Sequence, residues 1–161
     1  MTTVRKARLA DCAAIWRVHT DAIRQLARSH YTTAETEAWA GPRRPDDYAE
    51  AIRRLEFYVA EQAGALVGFS TLNPASGEVE AVYVSPAAAR RGVGLLLLRT
   101  LEARARDLGL AALQLDASLN AVPFYQRAGY ERRQQMKHRL ASGVEIACVR
   151  MTKELGETEA G

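Results

Sequence analysis

The stretch from Glu78 to Leu108 constrains this chain most, because it dictates a strand, a sharp loop and a long helix in succession. Val79 to Val84 (VEAVYV) is β-branched and aromatic, with Asn73-Pro74 and Gly77 before it and Ser85-Pro86 after it, the composition of a bounded strand. Pro86 has no N–H to give a ladder, so the strand stops before it. Beyond the loop, Val93, Leu97, Leu101 and Leu108 fall near one helical face, with Arg99, Glu102 and Arg106 expected outside and Glu102 paired with Arg106. Gly92 and Gly94 at the head of that helix let the backbone turn so that unpaired N–H groups point outward. Such a helix start favours an anion through its free donors and its dipole alike. Arg90 and Arg91 stand beside it and add fixed positive charge. The loop reads as a phosphate cradle.

Other phosphate sites use glycines differently. A dinucleotide-binding unit places G-x-G-x-x-G directly after its strand. Here Gly92 and Gly94 come eight and ten residues after Val84, and Leu97 takes the third glycine's place, although Asp116 lies about where a ribose-binding acid would. The Gly-Lys-Ser/Thr of a nucleoside-triphosphate loop is absent. From the glycines alone, a tight lead-in to an amphipathic helix explains them equally well.

The rest of the chain supplies a mixed framework. Thr3–Leu9 alternates as a first strand, and Asp11 is placed to cap a helix over Cys12–Ser29. Thr32 and Glu35 have capping-box spacing ahead of a short helix holding Trp39, which Gly41-Pro42 ends. Asp46–Leu55 is helical, and Phe57–Glu61 with Leu66–Leu72 forms a hairpin about Ala63-Gly64 that the Val79–Val84 strand extends. After the long helix, Ala112–Ala117 is a strand. Ser118–Ala128 is a short helix, starting near Asn120 so that Pro123 falls in its first turn, and Tyr130–Leu140 with Val144–Thr152 is a last hairpin. The order β-α-α-α-β-β-β-α-β-α-β-β is α+β, a mostly antiparallel sheet of about seven strands with one right-handed crossover. Residues 1–155 read as a single domain; pattern fades from Lys153, and 156–161 read as a frayed tail.

Length and charge exclude other classes. A chain of 161 residues fits one domain. Its 22 basic residues are interleaved with 19 acidic ones for a net charge of +3, unlike the concentrated basic face of a nucleic-acid binder. The opening MTTVRKARLADCAAIW lacks the apolar run of a signal peptide, and no stretch approaches a membrane span. Cys12 and Cys148 have no metal-ligand spacing. A cytoplasmic protein without metal, nucleic acid or membrane partner is expected, and a homodimer is left open.

Two motifs in sequence carry a resemblance. Ala89-Arg90-Arg91-Gly92-Val93-Gly94-Leu95, followed by Asn120-Ala-Val-Pro-Phe-Tyr125 and Ala128-Gly129-Tyr130, resembles the GCN5-related N-acetyltransferase (GNAT) family across roughly Thr2 to Leu155. One departure is visible: Ala89 stands where the family has Gln or Arg. The resemblance implies an acetyl-CoA-dependent N-acetyltransferase working by direct transfer in a ternary complex, with a small-molecule or peptide amine as acceptor. It implies residues 89–95 on the pyrophosphate, the backbone of Val82, Tyr83 and Val84 on the pantetheine arm, and Tyr125 as proton donor to the CoA thiolate. Asn120 either holds the pantetheine amides or caps the helix. For the amine proton, Glu80 is the first choice as base and Asp116 the second, with Glu78 and a water chain as alternatives. Glu78 and Glu80 share strand parity and are expected on one face. Trp16, His19, Tyr31, Trp39 and His138 are candidates for the acceptor pocket by position. A non-catalytic acyl-CoA sensor and a tRNA-directed acetyltransferase toxin are the competing readings.

Overall fold

The computed structural model of the chain describes residues 1–156. β1 (Thr2–Lys6) precedes α1 (Cys12–Leu26), α2 (Thr33–Ala40) and α3 (Ala49–Arg54). The strands β2 (Glu56–Gln62), β3 (Ala65–Asn73) and β4 (Glu78–Val84) follow as a meander, and α4 (Val93–Asp107) crosses to β5 (Ala112–Ser118). After α5 (Val122–Arg127) come β6 (Glu131–Arg139) and β7 (Glu145–Glu154). The α+β order is the expected one.

One seven-stranded sheet runs β1-β2-β3-β4-β5-β7-β6. Every neighbouring pair is antiparallel except β4 and β5, which the α4 crossover makes parallel. That pair meets at one position, Glu78 opposite Gln114. From there the two strands diverge, leaving the facing edges of residues 80–84 and 116–118 without ladder partners across the gap.

A bulge sits in β4 beside the gap. Thr71 pairs with Ala81 while Leu72 pairs with Val79, so Glu80 is the extra residue. In a regular strand Val79 and Ala81 would share a face. Here Val79 joins the core under α4 with Val82 and Val84, whereas Ala81 and Tyr83 pack on the α1 side. The bulge interrupts simple alternation between Glu78 and Glu80, yet both line one cleft.

Both sheet faces are covered, which explains the unbroken apolar run in β2. Tyr58 and Ala60 belong to the core under α4, and Phe57 and Val59 to the core under α1 and α3. Leu97, Leu98 and Leu101 of α4 are fully buried, each contributing about 1.5–3 kcal/mol by leaving water. Among the described residues no helix is long and apolar enough to cross a membrane.

Several local expectations change. Glu102 is 1% exposed, not outward, and its carboxylate takes bonds from Tyr130 Oη at 2.9 Å, Lys153 Nζ at 3.1 Å and Arg99. It lies on the same buried stripe as Leu98, Leu101 and Ala105, so no pair with Arg106 forms. Leu108 instead is 40% exposed. Asp11 does not cap α1 with its side chain, because Arg5 and the Arg8 N–H hold its carboxylate at 2.8 and 2.7 Å. The first strand stops at Lys6 and α1 at Leu26, while a 3-10 turn over Leu9–Asp11 fills the gap between them. Asn120 lies in a 3-10 turn, and α5 starts at Val122 with Pro123 still in its first turn. Lys153 and Glu154 belong to β7 rather than a tail; residues 157–161 of the expected tail lie outside the described residues. The Thr32–Glu35 capping box forms in both directions, at 2.9 and 3.0 Å.

Candidate active site

The gap between β4 and β5 is the centre of the site, and sequence-local features assemble around it. After β4 the loop makes a 3-10 turn over Pro86–Ala88 and runs extended at Ala89. Arg90 and Gly92 are left-handed, with φ of 65° and 81°. A non-glycine residue there costs about 1 kcal/mol or more, strain that surrounding structure must hold. Gly92 is needed for its φ alone, since a Cβ added there would meet nothing within 4 Å. Gly94 is needed for space: a Cβ would stand 3.3 Å from Phe124 Cε1 and 3.6 Å from Val84 Cγ2. Close approach of α4, β4 and α5 thus depends on that glycine. The Leu96 N–H bonds to Gly92 O at 3.1 Å. The N–H groups of Val93, Gly94 and Leu95 before it have no helical carbonyl to bond. Arg90 and Arg91 flank these donors, so the loop can hold an anion.

Tyr125 stands at the gap. With Ala121 it lines a small cavity of about 40 Å³ whose other walls are Val79–Tyr83 of β4 and Leu115–Ser118 of β5. Its ring packs edge-on against Phe124 and Tyr130, with centroids 5.0 and 5.7 Å away. Burial, with a smaller push from Tyr83, raises its pKa above the ordinary 10, so the hydroxyl is protonated at neutral pH. No other described residue hydrogen-bonds that hydroxyl. Nearby, Asn120 Oδ1 is buried without a hydrogen-bond partner among the described residues.

Three carboxylates gather where the strands begin to part. Glu80 is exposed, and with Asp116 it lines both the small cavity and a larger cleft of about 450 Å³. Glu78 lines the cleft too. Arg150, on β7 opposite Asp116, reaches Glu78 Oε1 at 3.0 Å and Asp116 Oδ1 at 3.3 Å. Burial pushes the Glu78 carboxyl up despite Arg150, with Asp116 and Glu80 adding to the rise. Arg150 thus joins two strands that share one backbone pair.

The cleft also receives His19, Tyr31, Trp39 and His138, four of the five residues proposed for it. Trp16 is elsewhere: its indole packs with the α1-side core and its Nε1–H donates to Arg43 O at 2.8 Å. The Tyr31 hydroxyl is already used, donating to Ala147 O and accepting from Leu119 N–H at 2.9 Å, so its ring alone faces the cleft. Sequence reasoning missed Arg43, Tyr48 and Cys148 in the cleft and Arg150 beside it. The β5–β7 register that sets Arg150 against Asp116 has no local sequence signal.

The acetyltransferase (GNAT) domain family matches residues 27–155 of the chain. A GCN5-related N-acetyltransferase from Rhodopseudomonas palustris has a similar structure, with TM-score 0.91 and 29% identity over 96% of each chain. The yncA protein of Salmonella typhimurium, solved with its cofactor acetyl-CoA, aligns at TM-score 0.65 and 25% identity over 100% of this chain and 98% of its own. The uncharacterized N-acetyltransferase YafP of Escherichia coli (strain K12) is 28% identical over 118 residues, 72% of each chain. With the split sheet, the glycine loop and the buried tyrosine on one scaffold, the chain belongs to the GNAT acetyltransferase family.

Proposed function

We propose that this protein moves an acetyl group from the thioester of acetyl-CoA to a primary amine in a ternary complex. The observation that carries the reading is the gap itself: β4 and β5 pair once, at Glu78–Gln114, and Tyr125 lines the opening beyond. Unpaired backbone groups along Val82, Tyr83 and Val84 suit the amide-bearing pantetheine arm, and the orphaned Asn120 Oδ1 suits one of its N–H groups. The pyrophosphate suits the Arg90–Leu95 loop, where free N–H groups and two arginines converge. Ala89 in place of Gln or Arg removes no backbone donor. Acetyl-CoA supplies the activated acyl group; the chain holds, orients and moves protons.

The amine nitrogen arrives from the cleft and bonds to the thioester carbonyl carbon, and the carbon–sulfur bond breaks. Glu80 takes the surplus proton from nitrogen, directly or through water, because it borders both cavities and no described residue pairs with it. Tyr125 gives a proton to the sulfur. Its raised pKa weakens it as an acid, yet the same burial makes an unprotonated thiolate costly, so the transfer stays matched. Asp116, held by Arg150, orients rather than accepts.

An amine panel assayed by thiol release from acetyl-CoA tests the reading. Release with at least one primary amine and none without acceptor is expected. Binding of acetyl-CoA with no amine-dependent release across the panel would contradict it.

A further inference from the structure

The cleft has two chemically different ends. At the end shared with the β4–β5 slot stand Glu80 and Asp116. Arg43, His19 and Tyr48 line the cleft but not the slot. Arg43 is half-buried, its Nε donates to Trp39 O at 3.2 Å, and it forms no ion pair among the described residues. His19 is 6% exposed; its Nδ1 meets the Tyr48 hydroxyl at 2.8 Å, and its Nε2 is buried with no partner among the described residues. A buried ring nitrogen left unpaired costs about 1–3 kcal/mol unless something else satisfies it. Asp47 also lines the cleft, but its carboxylate is turned to the Arg44 N–H at 2.8 Å, capping the next turn. Phe57, Phe69, Ala81 and Tyr83 add apolar surface to the cleft's lining.

We propose that the acceptor is a primary amine carrying a carboxylate at its far end, with the amine at the β4–β5 slot and the carboxylate at Arg43 and His19, whose ring Tyr48 orients. This rests on the acetyltransferase reading and names its substrate class. Arg43 supplies charge and a planar pair of donors. Nδ1 accepts from the Tyr48 hydroxyl when the His19 proton is on Nε2, and that tautomer gives the second donor. Size and lining set the acceptor's shape. A cleft of about 450 Å³ exceeds what glycine fills, and its apolar lining suits a methylene chain, so an ω-amino acid fits better than a short α-amino acid. A diamine would set a second ammonium against Arg43, a like-charge contact.

The test compares ω-amino acids, from glycine to aminooctanoate, with alkylamines and diamines of equal length, by kcat/KM for thiol release. Wild type should favour the longer amino acids over matched alkylamines by roughly ten- to a hundredfold, the worth of a charged hydrogen bond. In Arg43→Gln that ratio should fall toward one, Arg43→Lys should keep part of it, and Tyr48→Phe should lower it less than Arg43→Gln does. A wild-type ratio near one, a preference for diamines, or a ratio unmoved in Arg43→Gln would overturn the proposal. Calorimetric binding of aminohexanoate with CoA present reads the same end without turnover. Binding lost in Arg43→Gln supports the carboxylate site even if no acceptor releases thiol, a failure that would count against the transfer reading alone. No binding to wild type, or equal binding to both proteins, overturns it.

Discussion

Three carboxylates crowd the closed end of the β4–β5 gap, and one guanidinium answers two of them. That division separates their roles. Asp116 is pinned by Arg150, Glu78 is pinned and half-buried, and Glu80 stands in the bulge bordering both cavities. Replacing Glu80 by Gln should lower kcat/KM by roughly ten- to a hundredfold, most at low pH, where the amine is mainly protonated. The loss should shrink near the amine's own pKa. Asp116→Asn should keep the acidic limb of the profile. A collapsed limb in the Asp116 variant with an intact one in the Glu80 variant would reverse the assignment, and CoA affinity measured beside each keeps a lost cosubstrate from passing as a lost base. Glycine loop positions divide just as clearly. Gly92→Ala should cost about 1–2 kcal/mol of strain at its positive φ, with CoA affinity reduced only modestly. Gly92→Asp adds a carboxylate beside the pyrophosphate, so calorimetric titration should find affinity lower again. Equal affinity in a folded Gly92→Asp protein would remove this loop from the binding site.

Elements followed from the sequence where their signals are local. The Thr32–Glu35 capping box spans three residues, and the glycines at 92 and 109 have the left-handed φ that a cap and a terminator require. Long-range pairings were not legible. Glu102 looked outward because its partners Tyr130 and Lys153 lie 28 and 51 residues away. The bulge at Glu80 depends on the β3 register, and the carboxylate-facing Arg150 on that of β7. Likewise the α+β order, the loop and Tyr125 could be placed from motifs, whereas Arg43 and Tyr48 entered the cleft only through packing. The Glu102 network carries a test at this scale. Glu102→Ala leaves Lys153 and Tyr130 facing an empty, buried site and should destabilise the fold by about 3–5 kcal/mol. Glu102→Gln should cost less. Burial would raise this carboxyl, but the bonds from Arg99, Tyr130 and Lys153 outweigh it and hold the group below its ordinary 4.5. Its contribution is therefore full above that pH and is lost as pH falls through the lower folded value. Urea unfolding at neutral and acid pH should show the wild-type advantage over Glu102→Gln shrinking in acid. An advantage constant with pH would mean that the ionised carboxylate is not what stabilises the network.

Across the whole molecule, the glycine loop with Tyr125 and the large cleft lie on opposite faces of one sheet. The core under α4 fixes the loop, α5 and Tyr125 on one side; α1, α2 and the 3-10 turn at Pro45–Tyr48 wall the large cleft on the other. On the proposed reading both would meet the reacting atoms at the gap, where β4 and β5 part after a single pair. Substitutions should therefore separate cosubstrate binding from turnover. Tyr125→Phe isolates that separation, because it keeps the ring that packs on Phe124 and Tyr130 and removes one proton. The decisive measurement is acetyl-CoA affinity and amine-dependent thiol release on the same Tyr125→Phe preparation. Affinity should stay within about twofold of wild type while turnover falls by about tenfold to several hundredfold, the size of general-acid catalysis. Full turnover at unchanged affinity would contradict the account, leaving Tyr125 a packing residue and water the proton donor.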